Sequence, residues 1–537
     1  MKYRLKKAFV WIIFVQTILI LIHIKFYQGF TDLDDFPTKT NVQLISSSTR
    51  AYTGQHFTHI SLTEFPKRKP ANEIMKGETR GILQVKDETN FNRSLSKSFQ
   101  QTITARHIIT PRYIVQKDVY NRNVSKKRKA KVKFSVLRKC NDVLFPVHLE
   151  HEDNWQSVDN ITASVFSAYH VEKTRNIIII GAKSKQLQSY FCLLWQQENG
   201  TYYAEQLDAK VKQLAEGHNL WYSAVFFECP LPSYCEIPSH VSLVASRCGK
   251  PANLLRVHST ARPESYQRRF TVCLTPLNLH YGRAYELVEW IELNRILGAE
   301  KFIIYNHSTA GNVLSVLDYY SKINIVEVVQ WQLPMKVLTY NGTKLPEIHY
   351  FGQIIALQDC LYRNKVESEF IVNIDLDEFI IPHSENVSTW NEMLKQLNEE
   401  PGAYIFRNTF FRKEWEHVNY TNKEIVDKYR LVTLQKLNHE DNIFPVKRRS
   451  KYFARTCDVI HVMIHDVLFL PKRKRAQSVA IEIGLLHHYR DWENEMPLPN
   501  LKVLDETIPQ KYGEKLIMNV ANVWSKLVNV KMDISVH

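Results

Sequence analysis

The stretch Phe370–Pro382, FIVNIDLDEFIIP, constrains this chain more than any other. An apolar run ends abruptly in Asp375, Asp377 and Glu378 and resumes as Phe379-Ile380-Ile381. A short apolar run bounded in this way predicts a central strand of a parallel sheet. Residues i and i+2 of a strand share a face and lie roughly 6.6 Å apart. On that reading Asp375 and Asp377 converge at a strand's carboxyl end, where open α/β sheets bind ligands. Two hard carboxylates there suit Mn²⁺ or Mg²⁺. Acid-x-acid pairs also occur at Asp32/Asp34, Glu150/Glu152, Glu367/Glu369, Glu414/Glu416 and Glu493/Glu495. None of these follows an apolar run as strong as Phe370–Ile374, and buried charge is costly unless it is paired or metal-bound.

The amino terminus speaks to compartment. Lys2, Arg4, Lys6 and Lys7 precede an apolar run from Ala8 to Ile24, and Asp32, Asp34 and Asp35 follow it. This length just spans a thin bilayer, and the basic flank keeps the amino terminus cytoplasmic. The run is longer than a usual signal-peptide core and no small-x-small cleavage site closes it. The expectation is a cytoplasmic tail at 1–7, a transmembrane signal anchor at 8–26 and a lumenal body. Asn-x-Ser/Thr sequons begin at Asn92, Asn123, Asn160, Asn199, Asn306, Asn341, Asn386 and Asn419, all beyond the anchor, some of them chance matches. The eight cysteines also lie beyond it. An even number in an oxidising compartment implies disulfides, and the absence of CxxC speaks against a structural zinc ribbon. Five cysteines precede residue 260 and three follow it, so either one bridge joins the halves or thiols stay free.

The formal net charge of +15 fits anionic partners such as a nucleotide diphosphate or a membrane surface. A lumenal body would meet no nucleic acid. From residue 27 to 133 the chain is polar and weakly periodic, as an extended stem is. Lys126–Lys139 carries eight basic residues in fourteen positions, a solvated linker rather than a binding patch. Short apolar runs such as Ile177–Ile180 and Ala224–Phe227 predict a smaller β-rich accessory domain over 134–267. From Phe270 onward strands alternate with helices: Phe270–Leu277, a helix Gly282–Leu297 closed by Gly298, Lys301–Asn306, a helix Val313–Tyr320, Ile323–Val329, and a helix Tyr350–Tyr362 leading into the acidic strand. That alternation predicts an α/β domain with a Rossmann-like, mostly parallel sheet over 268–510. A tail or helix completes the chain at 511–537.

The series YGRAYELVEWIELNRILGAEKFIIYNHS (Tyr281–Ser308), YFGQIIALQDCLYR (Tyr350–Arg363), FIVNIDLDEFIIP and LLHHYR (Leu485–Arg490) resembles glycosyltransferase family 92. The resemblance covers roughly residues 268 to 500. It implies a GT-A fold, a UDP-sugar donor (galactose in characterised members), a divalent metal and an inverting outcome on a glycan or glycoprotein acceptor in the Golgi. Carried over, Asp375 and Asp377 match the metal and diphosphate motif, and Glu378 fits a supporting role. His487 and His488 match the late His-Tyr-Arg region, where one imidazole completes the metal or both stand in a polar loop. Arg490 is set against diphosphate oxygens. Gly352 and Gln353 either admit and contact the donor or, for Gly352, serve close helix packing. The catalytic base is sought among Glu414, Glu416, Asp441 and Asp466, with Asp466, after the strand-like Val459–Ile464, preferred and Glu414 second. Trp331, Trp415 and Trp492 are stacking candidates for acceptor sugar or core residues.

Three other readings stand beside this one. A glycoside hydrolase also uses two carboxylates, but they flank the bond from opposite sides. A transferase fold without activity would serve as a glycan-binding or adhesion ectodomain. The accessory region could itself be a lectin-like module.

Overall fold

The computed structural model describes residues 137–534 apart from 150–152, 160, 339–344, 398–399, 419, 421, 469–473 and 492–500. The anchor at 8–26, the stem and Trp492 lie outside these residues. No helix among the described residues is long and apolar enough to cross a membrane. Residues 131–537 form one compact unit.

The β-rich region is a single ten-stranded sheet running from Arg138–Cys140 to Leu255–Ser259. Its hairpins follow local turn chemistry: Asn199-Gly200, both at positive φ, joins strands Phe191–Glu198 and Thr201–Asp208. One face packs onto the second domain. Phe166, Tyr169, Ile178 and Phe226 share a core with Tyr305, Trp331, Ile355 and Cys360. Cys140–Cys248 and Cys192–Cys229 bridge the sheet region, and Cys273–Cys360 bridges the second domain. No bridge joins the halves, and Cys235 and Cys457 are free thiols.

In the second domain we number strands from residue 268: β1 Arg268–Leu277, β2 Lys301–Asn306, β3 Val326–Gln330, β4 Ser368–Asn373, β5 Glu378–Pro382, β6 Ala403–Phe406, β7 Asn408–Arg412, β8 Asn438–Glu440, β9 Lys451–Arg455, β10 Ala476–Ser478, β11 Gly484–Arg490 and β12 Lys502–Leu504. The principal helices are α1 Ala284–Leu297, α2 Gly311–Lys322, α3 Gln353–Arg363 and α4 Thr507–Lys526. The main sheet has the order β3-β2-β1-β4-β9-β6-β10. Its first four strands are parallel, as βαβ units require, but β9 runs antiparallel to both β4 and β6. β10 runs parallel to β6, so β9 alone opposes the other six strands of this mixed sheet. A second sheet, β5-β11-β7-β8-β12, lies beyond the end of β4.

The apolar run Phe370–Ile374 supplies β4, a central strand parallel to β1 as expected, but Asp375 and Asp377 lie in the turn after it rather than on one strand face, and Phe379–Ile381 belongs to β5 in the other sheet. Three further features have plain physical causes. α1 is buried on its polar side as well, because α4 covers it: Glu292 accepts from Tyr320 Oη at 2.8 Å and from Asn519 Nδ2 at 3.1 Å. α4 is the helix of the two forms expected at the carboxyl end, and Ile508, Tyr512, Leu516, Val520 and Trp524 on it belong to the core of this domain. The helix expected from Tyr350 starts only at Gln353. Tyr350, Phe351 and Gly352 all take positive φ, and Trp331 Nε1 holds this turn by donating to Phe351 O at 2.8 Å.

Candidate active site

The order β3-β2-β1-β4 reverses between β1 and β4, and in open α/β sheets ligands bind outside the carboxyl ends at such a reversal. Thr275 lies at that end of β1 and Asp375 just past that of β4. The Thr275 hydroxyl donates to Asp375 Oδ1 at 3.1 Å, joining the two strands across the switch point.

The turn carrying the acids is fixed by its own backbone and by neighbours. Glu378 N donates to Asp375 O at 3.1 Å, and Asp375 N donates to Glu378 Oε2 at 2.8 Å. Trp290 Nε1 on α1 donates to Asp375 O at 2.9 Å, and Tyr489 N on β11 donates to Asp377 O at 2.8 Å. The strand-face argument for the two acids gives way to this turn, which leaves their side chains 32% and 37% exposed. Glu378 points inward and is buried.

Two cations meet these carboxylates. The buried Lys451 Nζ on β9 lies 2.5 Å from Asp375 Oδ2 and 3.3 Å from Glu378 Oε2. His488 pairs in register with Glu378 across β5 and β11, with Nε2 3.2 Å from Asp377 Oδ2 and Nδ1 3.3 Å from Glu378 Oε1. Burial raises the Asp377 carboxyl, but His488, Lys413 and a backbone hydrogen bond together outweigh it and hold the group well below its usual range. Burial pushes Glu378 up to about 7, with Lys451 opposing and Asp375 reinforcing. The same carboxylates raise His488 and Lys451 against the effect of burial.

Asp377 and His488 present ligand atoms 3.2 Å apart. Adjacent ligands on an octahedral cation with bonds near 2.0–2.1 Å lie about 3 Å apart, so this pair fits a divalent metal. Asp375 is less available, because Thr275 and Lys451 engage both of its oxygens.

Successive β11 residues face opposite ways. His488 and Arg490 face the acids, and Arg490 is close enough to oppose the protonation of His488. His487 does not join them. It lies on the other face, stacked on Phe411 at 4.5 Å, with Nε2 2.8 Å from His383 Nε2. Of the two histidines, the alternation places His488 and not His487 beside the acids.

The remaining expected residues are spread around the cleft. Gly352 (φ +72) caps α3 and lines a small hollow with Glu216, Tyr222 and His349, and Gln353 is buried in the first turn. Neither hydrogen-bonds the acids. Asp466 accepts from Val467 N at 2.8 Å and pairs with Lys447 Nζ at 2.9 Å, and it shares an electrostatic neighbour, Tyr452, with Asp375. Glu414 is exposed and near Lys436 rather than Asp375. Trp331 and Trp415 are buried core residues.

Sequence reasoning missed Lys451, Lys413 and Tyr350. Lys413 follows β7, lines a cleft with Asp377 and Glu286, and has its ammonium pKa raised by Glu286 and Asp377 against burial. Tyr350, two residues before Gly352, has its hydroxyl pushed up to about 12 by its enclosed setting and by Asp375 and Asp377, although the residue is 44% exposed. Of the three, only Tyr350 lay inside a recognised sequence motif. The two lysines look like any surface cation in the sequence.

The sheet order, the switch-point acids and the accompanying second sheet define an α/β fold of the GT-A type. Residues 268–531 match the family model described as Glycosyltransferase family 92. The chain is 25% identical over 240 residues to beta-1,4-galactosyltransferase galt-1 of Caenorhabditis elegans, covering 42% of this chain and 54% of that relative. It thus spans about half the length of the curated relative. Among solved structures it is similar to S. aureus TarS 1-349 in complex with UDP-GlcNAc (14% identity, 49% of this chain and 67% of that one, TM-score 0.24). It is also similar to glucosyl-3-phosphoglycerate synthase from Mycobacterium tuberculosis with Mn²⁺, UDP and glucosyl-3-phosphoglycerate (12%, 51% and 87%, TM-score 0.19). The fold assignment rests on the strand order described above.

Proposed function

We propose that this chain transfers a sugar, galactose, from a UDP-sugar to a hydroxyl of a glycan on glycoproteins, with inversion, while held by its amino-terminal anchor in the Golgi membrane. The observation that carries the reading is the Asp377–His488 pair beside Asp375 at the switch point. The family and the galactosyltransferase relative support the sugar and the reaction class. The basic flank of the apolar run and the sequons beyond it support the lumenal placement.

Asp377 and His488 would hold Mn²⁺ or Mg²⁺, with Asp375 at its edge. The metal, when bound, neutralises charge that builds on the departing nucleoside diphosphate. Lys413 and Arg490 add cationic charge on the same side as Asp377. Lys451 fixes Asp375 and Glu378 in place, so the acid turn is preorganised before donor arrives. Tyr350 offers a partly exposed ring beside the acids for the donor to pack on. The base role stays with Asp466, which would take the acceptor hydroxyl proton as the oxygen attacks the anomeric carbon.

Titration calorimetry of the full chain with UDP and several UDP-sugars, with Mn²⁺ and with chelator, tests the donor site. Metal-dependent UDP binding that disappears in Asp375→Asn/Asp377→Asn supports it. Well-folded protein that binds no UDP under any condition supports the alternative, an inactive ectodomain. Asp466→Asn is expected to keep UDP binding and lower kcat about a hundredfold, and an unchanged kcat would remove the base role.

A further inference from the structure

The face of β11 turned away from the acids carries a second convergence. His487 Nε2 lies 2.8 Å from His383 Nε2 and 3.3 Å from Asp505 Oδ2, and His383 Nε2 is 3.7 Å from that same oxygen. A tetrahedral zinc with bonds near 2.0–2.1 Å sets its ligand atoms about 3.3 Å apart. Two imidazoles and one carboxylate oxygen form a borderline-soft donor set, suited to zinc rather than to Mg²⁺ or Ca²⁺.

Each group is held by independent structure. His383 directly follows β5, and its amide donates to Ile483 O at 3.0 Å. His487 is buried in β11 with its ring stacked on Phe411. Its Nδ1 has no hydrogen-bond partner among the described residues, so its Nε2 contacts and that stacking set the ring orientation. Asp505 lies between β12 and α4. Its Oδ1 accepts from Thr507 N, the first residue of α4, at 2.8 Å, and its Oδ2 turns to the imidazoles. Two cation-capable neighbours are occupied elsewhere. Lys511 Nζ donates to Pro382 O, Ser384 O and Val387 O, each at 2.9 Å, and His439 Nδ1 is 3.2 Å from Thr409 Oγ1.

We propose that His383, His487 and Asp505 form a zinc site, distinct from the donor site, that clasps α4 to the five-stranded sheet. Its fourth position is open to water. Because His487 and His488 are consecutive on β11, the clasp also steadies the strand that presents His488 to Asp377.

The test uses the full chain carrying Asp375→Asn/Asp377→Asn, so that donor-site metal does not contribute. After loading with Zn²⁺ and desalting, elemental analysis is expected to find about one zinc per chain. Cobalt loading should give a tetrahedral d–d spectrum, and zinc should raise Tm. Adding His383→Ala, or separately Asp505→Asn, should weaken zinc affinity at least tenfold and abolish the cobalt band, with near-UV circular dichroism reporting an intact fold. A well-folded parent that retains no zinc would overturn the site, and so would undiminished zinc in a folded His383→Ala variant. Since the parent already lacks the donor-site acids, neither result depends on whether UDP binds.

Discussion

Two acidic centres in this molecule begin from similar chemistry and end differently. Asp359 on α3 and Asp377 after β4 both sit among apolar neighbours in the sequence. Asp359 is fully buried and closed on every side. Ser167 Oγ and Tyr169 Oη donate to its Oδ1 at 2.6 and 2.8 Å, and Tyr305 Oη donates to its Oδ2 at 2.7 Å, with Arg363 beside it. Among the described residues the Asp377 carboxylate has one hydrogen-bond partner, His488, with Lys413 acting on it electrostatically, and about a third of its side chain stays open to the cleft. A carboxylate with its lone pairs consumed by protein holds structure together. One with acceptor capacity facing solvent is available to a ligand. Saturation, more than burial or charge, separates the two.

The comparison breaks most visibly at Asp377. Asp377→Asn keeps shape and is partly exposed, so its stability should stay within about 1 kcal/mol of the parent. Loss of the ligand and its charge should lower kcat/KM about a thousandfold, roughly 4 kcal/mol of transition-state stabilisation. Transfer kinetics and urea denaturation of the same preparation measure both. Near-full activity would mean that Asp377 is as structural as Asp359.

Asp359→Ala should reverse the pattern. It strips three hydroxyls and Arg363 of a buried partner, a class of change that costs about 3–5 kcal/mol. Arg363 retains Glu327 and Asp153, so the lower end of that range is expected. Urea unfolding should show the loss, while UDP affinity of the folded fraction stays within about twofold. Because Asp359 joins α3 to the β-rich sheet, this variant also asks whether that sheet unfolds with the transferase domain.

The two centres were unequally legible in the sequence. Local pattern recovered β1, β2 and the acid motif, since alternation and apolar runs are set by neighbours along the chain. It placed Asp375 and Asp377 on one face of a strand, because no local signal reports that the chain turns out of one sheet into another after Asn373. Resemblance added His488 but could not separate it from His487, which a strand divides between two faces. Lys451, Lys413 and the partners of Asp359 come from distant segments. Tyr169 and Asp359, 190 residues apart, meet only because the β-rich sheet docks on α3. Asn306 shows the converse. Its sequon reads as a surface glycosylation site, yet the residue is buried at the end of β2 and accepts from Thr309 Oγ1 at 3.2 Å.

Glu289 on α1 lies between the two extremes and sharpens the comparison with the smallest effect. It lines the cleft beside Asp377 but is saturated, accepting from Val432 N at 3.0 Å and from Thr433 N and Oγ1 at 2.9 and 2.7 Å. Burial pushes its carboxyl from the usual 4.5 up to about 7, against those hydrogen bonds. Between these values the folded state holds a proton that the unfolded chain has released. Stability from this group is therefore full below pH 4.5 and is lost as pH rises toward 7, by at most about 3 kcal/mol. Glu289→Gln cannot titrate, so the difference in unfolding free energy between parent and variant should drift in the variant's favour across this window. A flat difference would mean that three hydrogen bonds keep Glu289 ionised at all these pH values, placing it with the saturated carboxylates that only hold structure.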